Sequence, residues 1–263
     1  MTHVPHETVS LAAGSMPLLG FGTWQITGPD AVTATAAALE VGYRHLDTAT
    51  VYDNEAEVGR ALAESGVPRE DVFLTTKCPP ERIGREQETL ENSLEKLRTD
   101  YLDLWLIHWT VDSADDRRRV WEAFIAAQEE GLVRDIGVSN YSPAQIDELV
   151  RATGVTPVVN QIKWSPLLYD AALTRELADR DIVLEGYSGL RGGTLTNETI
   201  CEIAERHGRT PAQVIVKWHL QHEFVVIPKS SKPERIASNA DVADFELSDA
   251  EMTRLDKLGS GRQ

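Results

Sequence analysis

The chain has little cysteine, no long apolar run and a shortage of positive charge. Of its 263 residues only two, Cys78 and Cys201, are cysteine. Thiols this far apart, without metal-ligand spacing, argue against a disulfide frame and fit a reducing compartment, so a cytoplasmic protein is expected. No apolar stretch approaches a membrane span. The opening Met1-Thr2-His3-Val4-Pro5 has neither the basic flank nor the apolar core of a signal peptide. Lysine and arginine total 26 against 42 acidic residues, a net charge of -16. A chain this acidic repels nucleic acid and anionic membranes, so neither is expected as a partner. Charge of one sign also maintains solubility, and a monomer is the default expectation. Linkers rich in Pro, Gly or Ser are missing too, which leaves one domain spanning 1–263 as the expectation.

Hydrophobic residues make up 41% and charged residues 26%, an ordinary globular balance. Short apolar runs fit buried strands over Leu18–Thr23, Tyr43–Leu46, Val72–Thr76, Leu102–Ile107, Asp135–Ser139, Pro157–Asn160, Ile182–Gly186 and Phe224–Pro228. Amphipathic segments alternate with them. Leu90, Leu94 and Leu97 share one helical face between Arg85 and Arg98, and Val120, Trp121, Phe124 and Ile125 share another between Arg117 and Glu130. Ser142-Pro143 and Thr210-Pro211 read as helix N-caps followed by proline in the first turn. A last helix is expected over Ser248–Leu258. Eight strands alternating with helices over about 250 residues predict an α/β fold, a (β/α)8 TIM barrel. The rival doubly wound sheet needs Gly-x-Gly-x-x-Gly after its first strand, and Gly20-Phe21-Gly22-Thr23-Trp24-Gln25 lacks the third glycine. Leu11–Leu18, with Gly14-Ser15 inside it, reads as a small hairpin closing the barrel bottom.

The residues just past each strand are Trp24, Asp47, Lys77, His108, Asn140, Gln161, Tyr187 and Lys229. In a barrel these ends converge on the face that carries active sites. Tyr52 lies five residues beyond Asp47. A free phenol has a pKa of about 10, so Tyr52 alone is a poor acid at neutral pH. An ammonium beside it, Lys77 held by Asp47, is expected to lower that value. His108 is placed to orient a carbonyl oxygen. Together the four make a proton donor for a developing alkoxide, and the missing hydride must come from a cofactor. Each residue also has a plainer reading: a structural Asp47–Lys77 ion pair, a satisfied barrel histidine, a loop tyrosine. A metal site at Asp47 and His108 lacks a third ligand. Lys77 at a barrel strand end also suits a Schiff-base lyase.

Lys229-Ser230-Ser231-Lys232-Pro233-Glu234-Arg235 gathers three cations and two hydroxyls within seven residues of this acidic chain. Pro233 is expected to start a helix, with free N–H groups pointing the same way. Loops after the last two barrel strands often bind phosphate, and the 2′-phosphate of NADPH is a natural candidate. Ser139, Asn140 and Gln161 offer groups to fix a carboxamide, and Tyr187 can stack on its ring. Trp24 and Trp109 can wall an apolar substrate pocket, with His108 at its base.

Ordered motifs then carry a family likeness: Gly20-Phe21-Gly22-Thr23-Trp24, Gly42-Tyr43-Arg44-His45-Leu46-Asp47-Thr48-Ala49, Tyr52-Asp53-Asn54-Glu55, His108-Trp109, Gly137-Val138-Ser139-Asn140-Tyr141, Asn160-Gln161-Ile162 and Ile227-Pro228-Lys229-Ser230. The chain resembles the aldo-keto reductase superfamily over nearly its whole length, and looks nearest to short microbial members that include 2,5-diketo-D-gluconate reductases. The resemblance implies a barrel with NADPH as cofactor, a small-molecule carbonyl substrate and a tetrad of Asp47, Tyr52, Lys77 and His108. It implies cofactor contacts at Ser139, Asn140, Gln161 and Tyr187, with Ser188 and Leu190 in the same clasp, and at Lys229, Ser230, Ser231, Arg235 and Asn239. A nucleotide-binding redox sensor without turnover stays open as an alternative. Lys163-Trp164-Ser165-Pro166, Gly189 and Thr110 depart from the family pattern. The short C-terminal tail ending at Gln263 implies an open pocket.

Overall fold

The computed structural model describes residues 4–259. The leader reading of Met1–Pro5 rests partly, and the tail ending at Gln263 wholly, on residues outside that range. Eight parallel strands form the central sheet: β3 (Phe21–Gly22), β4 (His45–Asp47), β5 (Phe73–Cys78), β6 (Leu102–Ile107), β7 (Val133–Ser139), β8 (Val159–Lys163), β9 (Val183–Tyr187) and β10 (Val225–Val226). They neighbour one another in sequence order. The first and last then meet. Leu19 bridges Val226 in parallel, the Gly20 N–H donates to the Val226 carbonyl at 2.9 Å, and the Val226 N–H donates to the Leu18 carbonyl at 2.8 Å. The sheet is a closed barrel, as predicted. Gly22 permits this closure, because a β-carbon there would lie 2.8 Å from the Ile227 carbonyl oxygen.

Among the described residues, ten helices connect or follow the strands. They are α1 (Pro29–Val41), α2 (Glu55–Glu64), α3 (Glu86–Leu97), α4 (Ala114–Glu129), α5 (Pro143–Thr153), α6 (Ala171–Ala178), α7 (Glu198–His207), α8 (Pro211–Gln221), α9 (Pro233–Ala240) and α10 (Asp249–Asp256). The expected starts of α5 and α8 are capping boxes: Ser142 with Gln145, and Thr210 with Gln213. Apolar helix faces pack on strands that are buried on both sides. Trp105 of β6 stacks on Phe124 of α4 with ring centroids 3.7 Å apart. Trp121 and Trp218 are equally buried.

Strand limits differ from the sequence reading by a few residues. The first and last barrel strands shrink to two residues each, because Leu18–Gly20 and Ile227–Pro228 pair only through isolated bonds at the seam. β4, β5, β8 and β9 run further than read, so Asp47, Lys77, Gln161 and Tyr187 sit within the last three residues of their strands rather than beyond them. The hairpin is present but starts earlier: β1 (Thr8–Ser10) pairs antiparallel with β2 (Ser15–Pro17), and Leu11–Gly14 form the turn. The turn reaches the lower end of β7, where the Ala13 N–H meets both carboxyl oxygens of Asp135 at 3.3 Å.

Candidate active site

The loop carrying Tyr52 is fixed by one asparagine. Asn54 is fully buried. Its amide nitrogen donates to the Thr23 and Ile26 carbonyls at 2.9 and 2.8 Å, and its oxygen accepts from Thr48 Oγ1 at 2.7 Å. A single 3-10 turn, Thr50–Tyr52, precedes it and is tied to β5 by Thr50 Oγ1 donating to the Lys77 carbonyl at 2.8 Å. Tyr52 therefore overhangs the barrel mouth. Its ring meets His108 edge-to-face at 5.6 Å, and Lys77 Nζ lies 5.1 Å from the ring centroid.

Beneath Tyr52, the two oxygens of Asp47 each accept from Lys77 Nζ at 2.7 Å. Lys77 gives its remaining N–H to the Thr48 carbonyl at 2.8 Å. Gln161 Nε2 donates to Asp47 Oδ2, also at 2.8 Å. Burial disfavours the Lys77 ammonium, but Asp47 and Tyr52 outweigh it and raise its pKa. For Tyr52 the balance differs from the sequence expectation. Burial pushes its hydroxyl upward, and the opposing pull of Lys77 only partly offsets that push. The phenol is thus firmly protonated at neutral pH. Burial, aided by the charge of Lys77, holds His108 down at about 3, so its ring is neutral and carries one N–H.

A cavity of about 880 Å³ opens above these groups. Asp47, Tyr52, His108, Ser139, Asn140, Gln161, Tyr187, Ser188 and Leu190 line it, and so do Lys229, Ser230, Arg235 and Asn239. Trp24 and Trp109 stand at its mouth, 39% and 48% exposed. Lys77 lies below the cavity floor rather than on its wall. Ser231 and Lys232 are exposed and outside the lining. The N–H groups expected at the start of α9 are largely spent. Pro233 has none, the Arg235 and Ile236 N–H groups bond to the Lys232 carbonyl, and that of Lys232 bonds to Ser230 Oγ. Asn140 adopts the left-handed conformation (φ 63°), with its amide nitrogen 2.9 Å from Ser139 Oγ and its oxygen accepting from the Tyr187 hydroxyl at 2.9 Å. Gln161 is partly committed, since its nitrogen serves Asp47.

Of the departures from the family pattern, Gly189 is part of this wall, and Thr110 and Lys163-Trp164-Ser165-Pro166 lie outside the lining. Trp164 is buried against Tyr169 and Phe224, and Thr110 Oγ1 accepts from Gln145 at 3.1 Å. Gly189 lies over the His219 ring and the Trp164 carbonyl, where a β-carbon would come within 3.2 and 3.3 Å. Sequence reasoning missed three groups at the mouth. Val51 and Leu195 are large apolar residues left 54% and 40% exposed, and the Arg191 guanidinium lies 4.6 Å over the Trp24 ring. It also missed Glu185, although a glutamate inside an apolar run read as a buried strand is itself a signal.

A closed parallel barrel with a Tyr-Lys-Asp-His cluster at its C-terminal mouth holds that cluster on the face where barrel enzymes carry their active sites. Residues 18–260 match the model of the aldo/keto reductase family, and the chain belongs to that family of enzymes. An aldo-keto reductase of Mycolicibacterium smegmatis is 46% identical, over 95% of this chain and 92% of its own. Methylglyoxal reductase DkgA of Escherichia coli K12 is 43% identical, over 94% and 91% respectively. The crystal structure of an aldo/keto reductase from Brucella melitensis superposes with a TM-score of 0.92 at 44% identity, covering 97% of this chain and 99% of that one. Family membership implies carbonyl reduction.

Proposed function

We propose that this chain is an NADPH-dependent reductase of aldehydes and ketones, built as a single barrel domain and acting as a cytoplasmic monomer, with Tyr52 as the proton donor. The observation that carries this reading is the position of Tyr52: a protonated, largely buried phenol at the cavity floor, against a neutral imidazole and above a fully bonded Lys77–Asp47 pair. The donor set of the cavity fits a nicotinamide dinucleotide phosphate. Ser139, Asn140, Gln161 and Tyr187 supply amide, hydroxyl and aromatic groups at one end, and Lys229, Ser230, Arg235 and Asn239 supply charge and hydrogen bonds at the other. When bound, the nicotinamide supplies a hydride for the carbonyl carbon.

The residues do the rest. His108 donates its one N–H to the substrate oxygen and aligns it. Tyr52 holds the proton that passes to that oxygen as negative charge grows there. Lys77 stabilises the phenolate left behind, and Asp47 keeps Lys77 charged and in place. Trp24, Trp109 and Val51 exclude water around the reacting carbon. The Schiff-base alternative has less support, because Lys77 is buried, protonated and has every N–H engaged. The test is steady-state oxidation of NADPH with a panel of aldehydes and ketones. Methylglyoxal belongs in it, because the DkgA relatives are methylglyoxal reductases. Turnover of several carbonyls is expected. Tight NADPH binding without turnover of any would favour a sensor instead.

A further inference from the structure

Glu185 is an acid inside the barrel that the proposed reaction leaves unused. β9 places it beside Gln161 of β8 and Val225 of β10, with no exposure to solvent. Neither carboxyl oxygen has a hydrogen-bond partner. Most of the nearby donor capacity is committed elsewhere. Lys77 spends all three N–H bonds on Asp47 and the Thr48 carbonyl, and Gln161, across from Glu185 in register, gives one of its two amide N–H groups to Asp47 while the other completes no hydrogen bond to the carboxyl. His45 Nε2 stands 3.7 Å from Glu185 Oε1, too far for a hydrogen bond, and 3.3 Å from Thr75 Oγ1. That ring cannot move closer freely, because it is pressed against Gly20, where a β-carbon would lie 2.4 Å from Nδ1. A carboxylate that receives no hydrogen bond and is sealed from water is strongly disfavoured as an anion.

We propose that Glu185 is a positioning residue for carbonyl reduction: it holds a proton beneath the Asp47–Lys77 pair, so that Asp47 alone faces the ammonium as an anion. The role presupposes Tyr52 as the acid. The titratable and charged groups that face Glu185 are His45 and Asp47 from β4 and Lys77 from β5. β8 and β10 present only the uncharged Gln161 and the apolar Val225. Burial, followed by the charge of Asp47, lifts the Glu185 carboxyl to about 8. When Glu185 releases its proton to solvent, a second anion appears below Lys77. That charge draws on the same ammonium, makes Tyr52 a weaker acid and slows proton delivery.

The test compares kcat for NADPH-dependent reduction by wild type and Glu185→Gln from about pH 6 to about pH 10. Glutamine keeps the shape of the protonated acid and cannot ionise. At neutral pH the variant should stay within about threefold of wild type, and its alkaline decline should begin about one pH unit higher or more. An unchanged alkaline decline overturns the role. So does a neutral-pH loss beyond about tenfold in a variant with unchanged melting temperature, since an ionised carboxylate would then be what the site needs. Infrared titration of the protein alone adds a readout without turnover. Wild type should show a carboxylic-acid C=O band at neutral pH that bleaches as the pH passes about 8 and is missing from Glu185→Gln. If the variant does not fold, the wild-type titration decides, and lack of such a band overturns the role. A protein that shows the band but reduces no carbonyl contradicts the reductase reading rather than the protonation of Glu185.

Discussion

Two buried pairs of a carboxyl group and a nitrogen base lie one above the other in the barrel, and their chemistry is opposite. β4 supplies one member of each, His45 and Asp47, two residues apart and hence on the same face of the strand. In the upper pair, Asp47 and Lys77 are 2.7 Å apart and every N–H of the ammonium is used. In the lower pair, His45 and Glu185 are 3.7 Å apart and the carboxyl has no donor. Burial is equal, so burial alone does not set the charge. The number of donors reaching the carboxylate does. Three donors sustain an ion pair at the reaction face, and none leaves a neutral pair below it.

The largest effect should come from breaking the upper pair. Lys77→Met leaves Asp47 buried without its cation, which costs about 3–5 kcal/mol of stability. It should also lower kcat by about 10²–10⁴-fold. Urea unfolding and steady-state kinetics measure the two losses, and a variant that loses neither would mean that the pair is ornamental. A charge outside both pairs comes next. Arg235→Ala should weaken NADPH by about tenfold or more while NADH binding changes little, because only NADPH carries the 2′-phosphate. Equal losses in fluorescence titrations with the two cofactors would remove that assignment.

Stability against pH separates the pairs further. Burial lowers His45 from 6.5 to about 3 in the folded chain, and His219 in the same way to about 4. The unfolded rings take up protons near 6.5 that the folded rings refuse, so stability is full above that value and drains as the pH falls toward 3. Glu185 has the opposite sign. Its folded value is raised, so its contribution is full below the unfolded value of 4.5 and lost as the pH climbs through about 8. Melting temperatures across this range should therefore fall on both sides, and Glu185→Gln should flatten only the alkaline side. The smallest effect belongs to an exposed pair. Arg60→Ala, which removes a contact with Glu64 one helical turn on, should change stability by less than about 1 kcal/mol in the same melts.

Much of this was legible in the sequence. Apolar runs interrupted by amphipathic helices are a direct imprint of strands buried on both faces, so the barrel could be read from β5, β6 and β7. The seam strands were read as well, over Leu18–Thr23 and Phe224–Pro228, but too long, because Leu18–Gly20 and Ile227–Pro228 pair only through isolated bonds. Asp47, His108, Asn140 and Gln161 stood out as polar residues at strand ends, Tyr52 as a phenol five residues beyond Asp47, and they converge. The direction of the Tyr52 shift was not legible. It depends on how deeply the phenol is buried, which the sequence does not state. Lys77 and Ser231 show the same limit in space: one lies under the cavity floor, and the other is exposed outside the lining despite belonging to the cationic cluster. Glu185 was visible as an anomaly, a charge inside an apolar run, but its neighbours come from β4 and β5, more than a hundred residues away in the chain.

Proton donation by Tyr52 is the step on which the proposed chemistry rests, and Tyr52→Phe removes that proton alone. The change removes one hydroxyl and keeps the ring that packs on His108. Single-turnover oxidation of bound NADPH after mixing with an aldehyde should slow by about 10²-fold or more, with the NADPH dissociation constant unchanged. A variant that oxidises NADPH at close to the wild-type rate would show that the proton comes from elsewhere.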